Sequence, residues 1–178
     1  MAFEKTVTSS SLDVDVTAAS SVDQVASTCF ATSLDMSPWW AVDLGKQYIV
    51  LTVEIRATES FAGGYCEYRM CRCKPIVAIW EPQLVSFFFS ETALGDFEVL
   101  VGHAPVNDVS DLNSFSLCTH YQNYITASSV VTIECDVTHH GRYVAISKPN
   151  VDAKIHFCDI KVNAAFGKQD TFFPYCQC

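Results

Sequence analysis

An all-β sandwich of about eight antiparallel strands is the fold class this sequence predicts, and three observations carry it. Apolar residues recur with period two in several short runs, clusters of Gly, Pro, Asn and Asp separate those runs, and no helical period lasts longer than a turn or two. With 178 residues and 49% apolar content, the chain suits one domain with a full core and some chain to spare.

The first run, Lys5 to Val22, is rich in Ser, Thr and Val and reads as an edge strand and loop. Asp23 to Met36 carries Cys29 among small polar residues, which is loop composition. The densest local signal follows, Ser37-Pro38-Trp39-Trp40-Ala41-Val42-Asp43-Leu44-Gly45. Neighbouring side chains of a strand leave on opposite faces, so Trp39 and Trp40 cannot both enter one core. One is expected to wedge under a loop, with Val42 and Leu44 facing different layers. Asp43-Leu44-Gly45 reads as a turn into Tyr48 to Arg56, where Leu51, Val53 and Ile55 share one face and Thr52, Glu54 and Arg56 the other.

The pattern stops over residues 65 to 93, which hold Cys66, Cys71 and Cys73, the basic residues Arg69, Arg72 and Lys74, and two apolar runs. It resumes at Asp96 to Gly102, with Phe97, Val99 and Val101 on one face. A loop from His103 to Ser116, then Cys118 and a polar connection, lead to a strand from Val130 to Cys135 with Val131, Ile133 and Cys135 aligned. Asp136 to Gly141 has turn chemistry, with His139 and His140 read as exposed turn residues. Arg142 to Ser147 is a strand, Lys148-Pro149-Asn150 a turn, and Ile155 to Val162 the last strand. The tail from 164 to 178 is irregular and contains Cys176 and Cys178.

A net charge of -9 and scattered basic residues argue against nucleic acid as a partner. No apolar run reaches the roughly 18 residues of a membrane span, and the first residues lack the apolar core of a secretory signal. Nine cysteines without repeated CxxC pairs read as disulfides in an oxidising, extracellular compartment. Cys66, Cys71, Cys73, Cys176 and Cys178 match no known zinc-finger spacing. No nucleophile elbow, HExxH or Gly-rich phosphate loop is present, so the sequence gives no reason to expect an enzyme.

With the segments placed, four motifs resemble the F-type lectin family (fucolectin, tachylectin-4 and pentraxin-1 domain), a relative of the discoidin and coagulation factor V/VIII C-type domains. They are Pro38 to Gly45, Asp96 to Gly102, Gly141 to Ile146 and Phe157 to Val162, in family order. The resemblance implies a galactose-binding-domain-like jelly roll over residues 1–163. It also implies that residues 65–92 are an insertion, since without them Gly63-Gly64 joins Ala93-Leu94-Gly95 at the family's spacing. A retained intron is one reading of that segment, its end Val85 to Ser90 matching a pyrimidine tract. A genuine long loop is the other.

The resemblance also implies a sugar site in which one His and two Arg donate to a fucose ring. Here the His position falls on Ala31, the first Arg near Thr58 and its companion Asp near Ser60. The second Arg falls on Tyr65 or Ala93, and Phe61 and Ala62 replace the family's paired cysteines. Each charge-assisted hydrogen bond contributes roughly 1.5–3 kcal/mol, so losing three costs about 4–9 kcal/mol, enough to erase micromolar affinity for free fucose. Ala31, Thr58 and Ser60 would line the remaining shallow site, and saturable fucose binding there would mean that other residues, Arg56 or a basic side chain of the insertion, have taken over the anchoring role. The family's calcium site maps to Asp23 and Asp159, with backbone oxygens near Ser27 and Cys158; oxygen donors suit this hard cation. The loop from Asp23 to Cys29 is shorter than the family's and lacks its Asn-rich stretch.

Two disulfides are expected. Cys29–Cys158 matches the family's pairing of ligand loop and last strand, and Cys118–Cys135 closes a short loop at a gain of about 3 kcal/mol. The function implied is a carbohydrate-binding domain with a glycan or glycoprotein partner and calcium as cofactor. The alternative is a protein-interaction or structural jelly roll without sugar binding. The sequence leaves oligomerisation open.

Overall fold

The structure, a computed structural model, describes residues 1–57, 94–126 and 128–166. The proposed insertion, Thr58, Ser60 and the five further cysteines lie outside the described residues.

Ten strands occur among the described residues: β1 (Thr6–Ser9), β2 (Phe30–Ala31), β3 (Asp35–Met36), β4 (Trp39–Arg56), β5 (Gly95–Gly102), β6 (Ser116–Tyr124), β7 (Val130–Ser147), β8 (Asp152–Ala153), β9 (His156–Phe157) and β10 (Asp159–Ala165). Two short 3-10 turns, Ala18–Ser21 and Val109–Ser114, are the helical elements described. All strand pairs are antiparallel. The main sheet runs β1-β4-β7-β5-β6 with β10 also on β4, and the ribbons β2-β9 and β3-β8 lie beside it.

Strands β4 and β7 form the spine, and each serves both layers of the sandwich. The start of β4 pairs with β1 and its end with β10, while the end of β7 pairs with β5. Two reciprocal bulges let this pair fold over. Leu44 to Gln47 of β4 stand opposite Arg142 alone, and Cys135 to Thr138 of β7 stand opposite Leu51 alone. Extra residues bend a strand and increase its twist.

These bulges account for two turns that the sequence suggests and the fold lacks. Asp43-Leu44-Gly45 and Asp136 to Gly141 have the right residues, but pairing resumes on the same partner strand, so each is an excursion within a continuous strand. Gly45 takes φ +84° at the first, with its N–H donating to Asp43 Oδ1 at 2.7 Å. Asp43 also accepts two bonds from the Arg142 guanidinium, both 2.7 Å, which clamps the bulge. At Gly141, β7 approaches β5 so closely that a Cβ would lie 2.7 Å from the Gly102 carbonyl oxygen, which explains the glycine opening the Gly141-Arg142-Tyr143 run. The second bulge breaks the alternation at Leu51. Val50 is buried there with Val53 and Ile55, and Leu51 faces solvent.

The tryptophans divide as strand geometry requires. Trp40 is fully buried in the main core, its ring edge-on to Phe157 at 5.4 Å and its indole N–H donating to Ser21 Oγ at 2.9 Å. Trp39 packs with Leu100, Val106, Leu112 and Phe115, under the loop after β5. Val42 and Leu44 share the main core with Trp40 instead of facing different layers, because all three lie on one side at spacing two. Phe97, Val99 and Val101 complete that core from β5.

Polar sequence hid β6. Ser116–Tyr124 reads as a connection, yet it pairs along β5 and buries mainly Cys118. The disulfide Cys118–Cys135 ties it to β7, and Cys29–Cys158 joins chain 129 residues apart. The last strand is interrupted at Cys158 and runs on to Ala165, past the expected boundary, where Ala164 and Ala165 pair with Val50 and Ile49.

Candidate functional site

The rim at the end of β4 gathers the described residues that the sequence singled out. The Cys158 N–H donates to the Arg56 carbonyl at 2.9 Å, and Cys158 is bonded to Cys29, which directly precedes β2. Phe30 pairs with Phe157 and Ala31 with His156. Phe30 and Phe157 face inward, both fully buried with ring centroids 5.4 Å apart. Ala31 and His156 therefore share the outer face.

Beside Ala31 the outer face carries polar groups that sequence reading did not select. The Asp13 N–H donates to the Ala31 carbonyl at 2.9 Å, which lays the segment around Asp13 along the edge of β2 away from β9. Ser33 fastens the same segment, its N–H donating to Ser11 Oγ and its Oγ to the Leu12 carbonyl, both at 3.0 Å. Lys154 lies on the other side, where Thr32 exchanges bonds with Ile155: Thr32 N–H donates to the Ile155 carbonyl and Ile155 N–H to Thr32 Oγ1. The Lys154 ammonium nevertheless donates to Asp13 Oδ2 at 2.8 Å. This ion pair reaches across β2 over small side chains. The Lys154 hydrogen bond is the main cause holding the Asp13 carboxyl below its usual range. The sequence did carry a signal for this group: Lys154 and His156 flank the fully buried Ile155, so they share the opposite face.

Asp23 and Asp159 meet at the same end of the molecule. Asp23 Oδ1 accepts the Val25 N–H at 2.8 Å and Oδ2 accepts the Thr28 hydroxyl at 2.6 Å, which shapes the loop holding Ser27. Asp159 Oδ1 is buried with no hydrogen-bond partner. Burial pushes the Asp159 carboxyl up, and the Asp23 charge adds to that push, while Gln24, Ile160 and the nearby Arg56 charge pull it down. An orphaned buried carboxylate oxygen beside a second carboxylate fits a hard cation that takes its remaining donors from backbone oxygens. Among the described residues no cluster of three or more His, Cys, Asp or Glu could hold a metal by side chains alone.

Elsewhere, an open cleft of about 290 Å³ lies by Trp39, where β4 begins, lined among others by Ser10, Asp35, Met36, Asn107 and Asp108. His139 and His140 belong to β7 and not to a turn. Among the described residues no helix is long and apolar enough to cross a membrane.

Solved structures share this fold. A fucolectin (F-lectin) from striped bass (Morone saxatilis) serum covers 92% of this chain with 20% identity and a TM-score of 0.67, and the chain spans 46% of that protein's length. A fucose binding module from Streptococcus pneumoniae covers 90% of this chain and is covered to 92%, with 18% identity and a TM-score of 0.59. The lectin domain of Lectinolysin, complexed with Lewis B antigen, covers 91% and is covered to 94%, with 15% identity and a TM-score of 0.60. The fold is thus the jelly roll of F-type lectins and related carbohydrate-binding modules. No protein-family model and no curated protein sequence matches the chain.

Proposed function

We propose that this chain is a secreted, non-enzymatic glycan-binding module of the lectin type, with its ligand site at the rim formed by β2, β9 and the end of β4. The observation that carries this reading is the convergence of Ala31, Cys158 and Arg56 at one rim, held by Cys29–Cys158, in a fold whose neighbours are named for fucose and Lewis B binding. The two disulfides support an oxidising compartment. The partner is a glycan or glycoprotein, and fucose loses its anchoring because Ala31 stands at the His position, with Thr58 and Ser60 following β4. Calcium is held, in this reading, by Asp23 and Asp159 with backbone oxygens near Ser27 and Cys158. It neutralises the buried Asp159 carboxylate and fixes the loop without touching the sugar-facing groups. The module spans residues 1–163, with 65–92 inserted; sequencing the mature transcript tests whether those codons are a retained intron.

A glycan array tests the proposal. Saturable binding to at least one glycan class is expected, with no measurable binding to free fucose. Saturation by fucose at or below about 100 µM would contradict the loss of its anchors. The alanine at position 31 favours a second reading, a protein-interaction jelly roll, and an array with no binding at all would favour that one.

A further inference from the structure

The cleft beside Trp39 is lined by none of Ala31, Arg56 and Cys158, the residues of the proposed glycan rim. Two carboxylates stand in its walls, Asp35 and Asp108, and among the described residues no Lys or Arg lines it. Asp35 is held by its Oδ2, which accepts the Ser10 hydroxyl at 2.8 Å and the Ser11 hydroxyl, while Oδ1 accepts no hydrogen bond among the described residues. Asp108 caps the 3-10 turn Val109–Ser114, its Oδ1 accepting the Ser110 N–H at 2.9 Å. Trp39 adds a donor. The residue is only 4% exposed, yet among the described residues its indole N–H has no hydrogen-bond partner, whereas that of Trp40 donates to Ser21 Oγ. Nor is it sealed: the partnerless side-chain atoms shut off from solvent are His139 Nε2 and Asp159 Oδ1. The Trp39 ring packs with Val106, Leu112 and Phe115, under the loop whose residues Asn107 to Val109 form one wall of the cleft. The cleft is therefore where this N–H opens, and a donor so placed calls for an acceptor.

We infer that the cleft is a second binding site, independent of the glycan rim, which takes an arginine-bearing segment of a protein partner. The guanidinium donates to Asp35 Oδ1 and to Asp108, a backbone carbonyl of the segment accepts from the Trp39 N–H, and the aliphatic stem lies against Met36 and Val109. A guanidinium presents five donors in a fork that matches carboxylates, and its stem covers apolar surface while the head stays polar. Met36 and Val109 supply that surface, with exposures of 64% and 40%. Size and charge select the ligand. At about 290 Å³ the cleft stands at the small end of ligand pockets, which run from roughly 300 to 1,000 Å³, so it houses one side chain and not an oligosaccharide. Two carboxylates without a cation beside them, on a chain of net charge -9, attract a cation over a neutral group and repel an anion.

The test titrates the isotope-labelled full chain at low salt with N-acetyl-glycyl-arginyl-glycinamide, and with the same peptide carrying citrulline, which keeps the shape of arginine without its charge. A saturable shift of the Trp39 indole N–H signal is expected, with the citrulline peptide at least about fivefold weaker. Asp35→Asn and Asp108→Asn should each weaken the arginine peptide at least about threefold at a melting temperature close to the parent's, because asparagine keeps an acceptor for the serine hydroxyls and caps as well as aspartate. Equal affinity for the two peptides would overturn the cationic ligand. Parent-like affinity in both asparagine variants, or a Trp39 indole signal that stays still, would overturn the site. Neither result touches the glycan reading, which the array tests separately.

Discussion

The two faces of the β2–β9 ribbon answer to different demands. Inward, Phe30 packs tilted against Phe157, which also meets Trp40 edge-on, and all three rings are fully buried. On the other face, one residue along on each strand, Ala31 is buried at 7% exposure and His156 is half-buried, with the half-exposed Asp13–Lys154 ion pair formed by flanking segments. The inward pair is fixed by packing, and the other face is the one on which this fold can vary. A chain can therefore retain the jelly roll while the chemistry of its rim changes.

The sharpest way to break this comparison is to truncate one residue on each face. Phe157→Ala should cost about 3–5 kcal/mol in denaturant unfolding, as large-to-small core changes do. Lys154→Ala, which removes only a half-exposed surface ion pair, should cost about 1 kcal/mol or less. Equal costs would mean that the outer face is structural too.

Next in size are the disulfides. Loop-closure entropy grows with the length of chain enclosed, so replacing Cys29 and Cys158 by Ser should cost about 1–2 kcal/mol more than replacing Cys118 and Cys135. Unfolding midpoints of the two double variants measure the difference. The reverse order would show that the rim bridge serves the loop locally and adds little to the global fold.

A smaller effect separates two carboxylates by the sign of their pH dependence. Arg142 lowers the Asp43 pKa, so the contribution of this clamp is full above the ordinary carboxylate pKa and is lost as pH falls through the lower folded value. Burial raises the Asp159 pKa, so ionised Asp159 opposes folding, and that penalty appears as pH rises through the raised folded value. Asp43→Asn should flatten the acid limb of the melting curve. Asp159→Asn, without calcium, should instead raise the melting temperature by a degree or so at pH 7. Calcium at ten times its Kd should stabilise the parent by about 1.4 kcal/mol through mass action and leave Asp159→Asn unmoved. A parent melting curve indifferent to millimolar calcium would remove the cation from the account.

Much of the fold was legible because alternation is a local property: Phe97, Val99 and Val101, or the division of Trp39 from Trp40, follow from adjacent residues alone. The bulges were not, because Asp43-Leu44-Gly45 and Asp136 to Gly141 carry turn residues for either a turn or an excursion. Only the partner strand decides which. Strand β6 escaped because it buries little, so its sequence lacks an apolar stripe. The candidate rim was legible in part. Ala31 and Cys158 were implied by the family resemblance, whereas the ion pair beside them joins Asp13 and Lys154, which are 141 residues apart and come together only across folded strands.

The central claim, the proposal that a glycan binds at the rim formed by β2, β9 and the end of β4, is tested most directly by amide chemical-shift mapping of the isotope-labelled chain titrated with the strongest glycan from the array. The account predicts the largest shifts at Ala31, Arg56 and Cys158, with Trp40 nearly still. Shifts centred instead on Ser10, Asp35 and Asn107 would place the ligand in the cleft beside Trp39 and contradict it.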